Sequence, residues 1–305
     1  MKIYLNEANE SWIVDRFRDE WINYHPEGTT NKIKESDLIW LIAPWVWKKI
    51  PKKNLKNKTV FCTIHHIDFE KFDNKERKNF FKRDKYVNVY HSISKKTTQQ
   101  LRSLTDKEII TIPFWINQNL FYENKDKSAL KQKYGINENT FIIGSFQRDT
   151  EGRDLISPKL SKGPDQFIEI VKHYYSQNKN LLVLLAGKRR NYILDQLNKF
   201  DIPSLYLEMV RNEDLNELYN ILDLYIVASR VEGGPQAIFE CALSKTPIIS
   251  TDVGIASEIL DKRSLFDMSN FKLAEPEIEK AYKNVRRFEI PNGFNKFHEV
   301  FGSIN

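Results

Sequence analysis

Residues 229–258 read Ser229-Arg-Val-Glu232-Gly-Gly-Pro-Gln-Ala-Ile-Phe-Glu240-Cys-Ala-Leu-Ser-Lys-Thr-Pro247-Ile-Ile-Ser-Thr-Asp252-Val-Gly254-Ile-Ala-Ser-Glu258. An apolar run from Leu224 to Ala228 leads in and reads as a buried strand. Gly233 and Gly234 let the backbone come close to a ligand. Pro235 suits the first turn of a helix, where its fixed φ fits and its missing N–H is not needed. The helix carries Ala237, Phe239 and Ala242 and should stop near Lys245-Thr246-Pro247, and Ile248-Ile249 opens the next strand. Strand, glycine turn, helix, strand is the unit of a parallel sheet. Ligands of such sheets sit at the carboxyl ends of the strands.

The turn has its own chemistry. Free N–H groups and the positive end of the helix dipole favour a phosphate-like anion. Two carboxylates flank that position, with seven residues between Glu232 and Glu240. Carboxylates repel phosphate, so these accept hydrogen bonds from hydroxyls. A sugar nucleotide offers diphosphate, ribose hydroxyls and hexose hydroxyls together. The plain alternative is an ordinary βαβ turn with two surface glutamates.

Residues 229–259 resemble the nucleotide-sugar signature of family 4 glycosyltransferases, retaining enzymes of GT-B fold with a Glu-x7-Glu motif. The resemblance implies that Glu240 holds the ribose hydroxyls and that Glu232 contacts the donor sugar. Gly233, Gly234, Pro235 and Gln236 belong to the same donor turn. The chain departs from the commonest pattern at three places. Gly234-Pro235 stands where Phe-Gly is usual, at the donor-sugar fit. Lys245 replaces a frequent glycine at the helix end, and Ile255 replaces the second glycine of a pair; both differences read as structural.

At 305 residues with 41% hydrophobic content, the chain suits about two domains with proper cores. No apolar run approaches the eighteen residues of a membrane span, and the N-terminus turns polar too early for a signal peptide. Cys62 and Cys241 show neither pairing nor metal spacing, which fits a reducing cytoplasm. Net charge is +6, with lysines clustered at 48–58, 75–85 and 95–96. That clustering reads as a composition bias with solvated lysines or as a surface for anionic membrane. Nucleic acid is not expected, because no recognition motif accompanies the charge.

In chain order, strands are expected at 2–5, 38–43, 60–64, 90–94 and 109–113. A helix is expected from Ser11 to Ile22, capped by Asn9 or Ser11, with Trp12, Ile13, Phe17 and Trp21 on one face. A basic amphipathic helix is expected over 74–87, with Phe80, Phe81 and Val87 facing a core or lipid. Another helix is capped by Ser94. The strand at 60–64 runs into His65-His66-Ile-Asp68. In several relatives a histidine at such a strand end borders the reaction centre; His65 is the first choice and His66 the lesser. A histidine satisfied by backbone is the alternative, and Asp68 is positioned to orient either ring. His91 reads as structural.

The second half opens with strand 141–145 and a long polar loop carrying Arg148, Arg153 and Lys162-Gly163. The resemblance implies that an arginine after this strand and the lysine of the Lys-Gly pair grip the donor diphosphate. Lys162 is the lysine; Arg148 is the preferred arginine, with Arg153 open because the loop is long. Strands at 181–186 and 205–209 follow, then a helix capped by Asn212. The resemblance implies that the backbone near Met209-Val210 lies beside the nucleotide base. Helices at 276–287 and 292–301 close the chain, the latter presenting Phe294, Phe297 and Phe301.

The expected fold is α/β: GT-B, two Rossmann-like domains facing a cleft. The expected division is 1–118 (a reduced acceptor domain), 119–288 (the nucleotide-sugar domain) and 289–305 (a helix returning to the first). The resemblance implies transfer from a UDP- or GDP-sugar to a glycan or lipid-linked acceptor, with retention; no Asp-x-Asp pair occurs, so no metal cofactor is expected. Its setting is polysaccharide biosynthesis in the cytoplasm or at the inner face of the membrane. The rival from another class is a non-catalytic nucleotide-sugar or glycan-binding module on the same fold.

Overall fold

The computed structural model describes residues 1–10 and 13–304. Two compact units divide the chain. Unit 1 is Met1–Phe114 with the described residues from Phe294 onward; unit 2 is Trp115–Gly293.

Unit 1 holds a parallel sheet of β1 (Ile3–Leu5), β2 (Leu38–Leu41), β3 (Thr59–Ile64), β4 (Val89–Ser92) and β5 (Glu108–Thr111), in that spatial order. Its intervening helices are α1 (Ile13–Tyr24), α2 (Lys52–Asn57), α3 (Asn74–Asp84) and α4 (Lys95–Arg102). Side chains alternate between the two faces of a strand, and both faces here are buried. Ile39, Leu41, Val60, Cys62 and Tyr90 pack with Leu55 of α2, Phe80 of α3 and Leu101 of α4. Trp40, Phe61 and His91 point the other way. They meet Phe297 and Phe301 of the C-terminal helix (Asn295–Ser303), and Trp21 of α1 closes on Trp40 at 5.2 Å. The phenylalanine spacing near the chain end is therefore the cover of an aromatic sheet face.

Unit 2 holds β6 (Phe141–Ser145), β7 (Leu181–Ala186), β8 (Ser204–Leu207), β9 (Leu224–Val227), β10 (Ile248–Thr251) and β11 (Leu265–Phe266). The order is β11-β10-β9-β6-β7-β8, every pair parallel. Its helices are α5 (Lys127–Lys133), α6 (Pro164–Gln177), α7 (Asn191–Lys199), α8 (Asn212–Ile221), α9 (Gln236–Leu243), α10 (Ala256–Ile259) and α11 (Ile278–Val285). One sheet face packs against α8, α9 and α11 through Tyr219, Phe239 and Val285; the other packs against α6 and α7 through Phe167, Val171 and Leu197. Burial on both faces is why these strands read as continuous apolar runs. The strand order reverses between β6 and β9, the place where doubly wound sheets bind ligands. Unit 1 runs in sequence order without such a reversal.

Several local expectations change. Ser11 and Trp12 lie outside the described residues. Asn9 is left-handed at φ 59°, and its N–H and that of Glu10 donate to the Asp15 carboxylate, so Asn9 is not the cap of α1. Asn212 is the first helical residue of α8; the cap is Arg211, with no side-chain hydrogen bond. Pro235 caps α9 rather than occupying its first turn. Phe80 and Val87 are buried but Phe81 is exposed. α2, α7, α10 and β11 have no counterpart in the sequence reading.

Candidate active site

Three loops meet at the β6/β9 reversal. The first follows β6 and carries Gln147, Arg148 and Asp149. It ends in a 3-10 turn, Leu160–Lys162, just before α6. The second follows β9 and carries Ser229 to Gly234. The third follows β10 and carries Asp252 to Ile255. In a parallel sheet all three leave from the same edge.

Backbone stitches the first two loops together. The N–H groups of Arg230 and Val231 both donate to Ser161 O, at 2.9 and 3.0 Å. The Arg230 guanidinium grips Asp165 at the start of α6 with two bonds of 2.7 and 2.6 Å. Glycine is required where the loops touch. Gly163 has φ 62°, and a Cβ there would stand 1.7 Å from Ala228 O. Gly254 has φ 51°, and a Cβ there would stand 2.0 Å from Gly233 O. The Lys-Gly pair and the Val-Gly pair thus have a steric reason independent of any ligand.

This stitching delivers Lys162 Nζ to Glu232 Oε1 as an ion pair. Ser229 Oγ lies 3.1 Å from the same carboxylate oxygen. Gln147 is the hub: its side-chain amide donates to Lys162 O at 3.1 Å, and its amide oxygen lies 3.4 Å from Ser229 Oγ. Its own carbonyl accepts from the fully buried Arg190, which also reaches Ser145 Oγ at 3.2 Å and stands 3.2 Å from Asp149. Burial pushes the Asp149 carboxyl up to about 6, with the Arg190 guanidinium opposing the shift. Burial likewise lowers the arginine. Sequence reasoning missed Gln147 and Arg190. The available signal was Gly187-Lys-Arg-Arg190, three cations at the carboxyl end of a buried strand.

Glu240 lies on α9, nearly buried, and its Oε2 accepts a 2.7 Å hydrogen bond from the Tyr219 hydroxyl of α8. α9 ends in a Schellman turn: Thr246 N donates to Cys241 O at 2.8 Å and Lys245 N to Ala242 O at 3.3 Å. Lys245 takes the left-handed position at φ 53°, which explains why glycine is frequent there. Ile255 is buried in the unit 2 core. Gln236 turns its amide to Trp115 O at 3.0 Å. Arg148 and Arg153 are exposed on the loop after β6, Met209 is exposed after β8, and Val210 packs on the core.

In unit 1, the His65 ring is satisfied by backbone: Nε2 lies 2.8 Å from Ile42 O. Its partner is that carbonyl rather than Asp68, whose buried Oδ1 has no hydrogen-bond partner. The ring also stacks on Phe114 at 5.8 Å. Burial pushes this imidazole down to about 4, against the raising effect of the Ile42 carbonyl. His66 is exposed. Among the described residues, no helix is long and apolar enough to cross a membrane.

The chain is a parallel α/β protein whose second sheet has a strand-order reversal, where doubly wound sheets bind ligands. Residues 126–292, more than half the chain, match the family described as Glycosyl transferases group 1, and the chain belongs to that family. No curated protein matches the sequence significantly. Among solved structures, HepE of Anabaena in complex with UDP-glucose is similar over 99% of both chains, with 14% identity and a TM-score of 0.76. Sucrose-phosphate synthase of Thermosynechococcus elongatus has 14% identity and a TM-score of 0.71, covering 95% of this chain and 78% of that one. TarM of S. aureus, solved with α-GlcNAc-glycerol and UDP, has 16% identity and a TM-score of 0.67, covering 92% and 58%. At these identities the likeness is one of fold: the α/β architecture of GT-B glycosyltransferases, with two parallel sheets.

Proposed function

We propose that the chain transfers a sugar from a nucleoside diphosphate sugar to a glycan or lipid-linked acceptor, with retention of configuration and without a metal ion. The observation that carries this reading is the Lys162–Glu232 pair at the β6/β9 reversal. At rest the pair keeps a largely buried carboxylate compensated. On donor binding the two partners separate: Lys162 takes the diphosphate, and Glu232 takes a hydroxyl of the sugar. Arg148, or Arg153 from the same loop, supplies the second cation. Fixed cations stabilise the negative charge that grows on the departing diphosphate.

Glu240 accepts from the ribose, Met209-Val210 lies beside the base, and the turn from Gly233 to Gln236 holds the sugar. UDP is favoured over GDP because solved relatives of this fold bind UDP and UDP-glucose. His65, neutral at pH 7, serves as a wall of the acceptor side rather than as a proton donor, with His66 beside it. Lys48, Lys75, Lys78 and Lys82, opposed by the one carboxylate of Glu76, line a groove of about 490 Å³ on unit 1, and this net positive lining suits an anionic acceptor or an anionic membrane face. Both cysteines are buried and free, in keeping with the cytoplasm.

The test is thermal stability of wild type, Lys162→Ala and Glu240→Ala with UDP, GDP and UDP-glucose. A ligand at about a hundred times its Kd adds roughly 2.7 kcal/mol. Stabilisation by UDP that is lost in both variants is expected. If no nucleotide stabilises the wild type, the reading fails. Donor binding with neither transfer nor donor hydrolysis marks a binding module instead.

A further inference from the structure

We propose that Tyr219 is the positioning residue for the ribose-binding carboxylate: its hydroxyl, donated from α8, fixes the orientation of Glu240 on α9. The inference rests on the reading of Glu240 as the ribose acceptor and adds a residue that this reading does not contain. In the sequence Tyr219 looks like one more apolar position at helical spacing beside Leu215, Leu218 and Leu222.

The geometry gives it a second role. Tyr219 is held at both ends. Its carbonyl accepts from Thr246 Oγ1 at 2.8 Å, inside the turn that terminates α9. Its ring packs on Phe146 at 4.9 Å and Tyr225 at 5.4 Å. Phe146 is the residue that follows β6, so the ring lies under the loop that leaves the strand-order reversal. From this fixed base the hydroxyl reaches Glu240 Oε2 at 2.7 Å. A buried Tyr hydroxyl needs a partner, and a carboxylate is the strongest neutral-donor acceptor available. Burial, together with the charge of Glu240, holds the phenol well above its ordinary value, so it stays protonated and remains the donor.

The titratable groups facing Glu240 include Tyr219 of α8, Tyr225 of β9 and Cys241 of its own helix. α11 turns Ala281 and Val285 toward the same core. Removing the tyrosine donor takes away the hydrogen bond that orients Oε2 while leaving the carboxylate buried.

Tyr219→Phe deletes one oxygen and keeps the ring. Binding of UDP and of 2′,3′-dideoxy-UDP is measured by calorimetry from pH 5 to pH 8, with wild type, Tyr219→Phe and Glu240→Gln. The expected result is an approximately tenfold weaker UDP affinity for Tyr219→Phe, with dideoxy-UDP unaffected. If Glu240→Gln weakens UDP but Tyr219→Phe binds UDP as wild type does over the whole range, the positioning role is overturned. If Tyr219→Phe weakens UDP and dideoxy-UDP equally, the loss is one of packing and the proposal also falls. If wild type binds both ligands equally, Glu240 is not the ribose acceptor, and the proposal falls with that reading.

Discussion

Acidification from pH 7 to pH 5 should destabilise unit 1 through His91. The ring is fully buried between β3 and β5. Its Nε2 lies 2.7 Å from Ile112 O, which only accepts, so Nε2 carries the proton. With the proton on Nε2, Nδ1 is the acceptor for the Thr63 hydroxyl 2.9 Å away, whose oxygen in turn accepts from Trp40 Nε1 at 2.8 Å. A second proton on Nδ1 would remove that acceptor and leave a charge buried without a counter-ion. Burial pushes this imidazole down to about 3. The folded value lies below the unfolded one, so the unfolded chain binds the proton first. Stability is complete above about pH 6.5 and is lost as pH falls toward the folded value. By pH 5 the unfolded chain has gained about 1.5 pH units of protonation free energy, or about 2 kcal/mol at 1.36 kcal/mol per unit. That corresponds to roughly 5–10 °C in the melting of a domain of this size. Five of the six tryptophans precede residue 48, so intrinsic fluorescence in a urea titration reports mainly on unit 1. His65, pushed down to about 4, acts in the same direction. His91→Asn should be less stable at pH 7 yet lose less on acidification. Equal unfolding free energies for wild type at pH 7 and pH 5, or an unchanged slope in His91→Asn, would refute the reasoning.

The remaining predictions concern the loop junction and the helix end. Gly163→Ala adds a Cβ 1.7 Å from Ala228 O at φ 62°. Strain of about 1–2 kcal/mol from the left-handed backbone is joined by a collision with main chain, so the melting temperature and UDP affinity should fall together. Gly254→Ala puts its Cβ 2.0 Å from Gly233 O. Its larger effect should be on donor binding, read by nucleotide titration against a circular dichroism melt. Lys245→Gly should stabilise by about 1 kcal/mol, because glycine takes the left-handed position at φ 53° without penalty. Chemical denaturation measures that gain, and a loss of stability would show that the Lys245 ion pairs with Glu123 and Glu279 outweigh the backbone term.

Much of the candidate site is legible in the sequence because its residues are neighbours in the chain. Glu232, the two glycines and Glu240 lie within one strand–turn–helix unit, and hydrophobic periodicity reports that unit directly. The alternating and continuous apolar runs located most strands. Short polar elements escaped: α2 is Lys-Lys-Asn-Leu-Lys-Asn, with only Leu55 buried, so it has almost no periodic signal. α7 has no counterpart in the sequence reading although Ile193 and Leu197 are buried, because a nine-residue helix carries few periodic positions.

By itself the sequence determined the class of chain, a parallel α/β protein with a sugar-nucleotide signature, because glycine turns, strand runs and carboxylate spacing are properties of neighbouring residues. Only the tertiary structure decided which distant side chains meet. Lys162 and Glu232 are brought together by backbone bonds to Ser161. Arg190 supports Gln147, and Tyr219 supports Glu240, from helices or loops that sequence spacing does not connect. The sequence places His65 at a strand end; that its Nε2 meets Ile42 O, 23 residues away, is visible only in the folded chain. A hydrogen bond depends on where two chain segments cross, and that crossing is set by the packing of whole sheet faces rather than by any one stretch of residues.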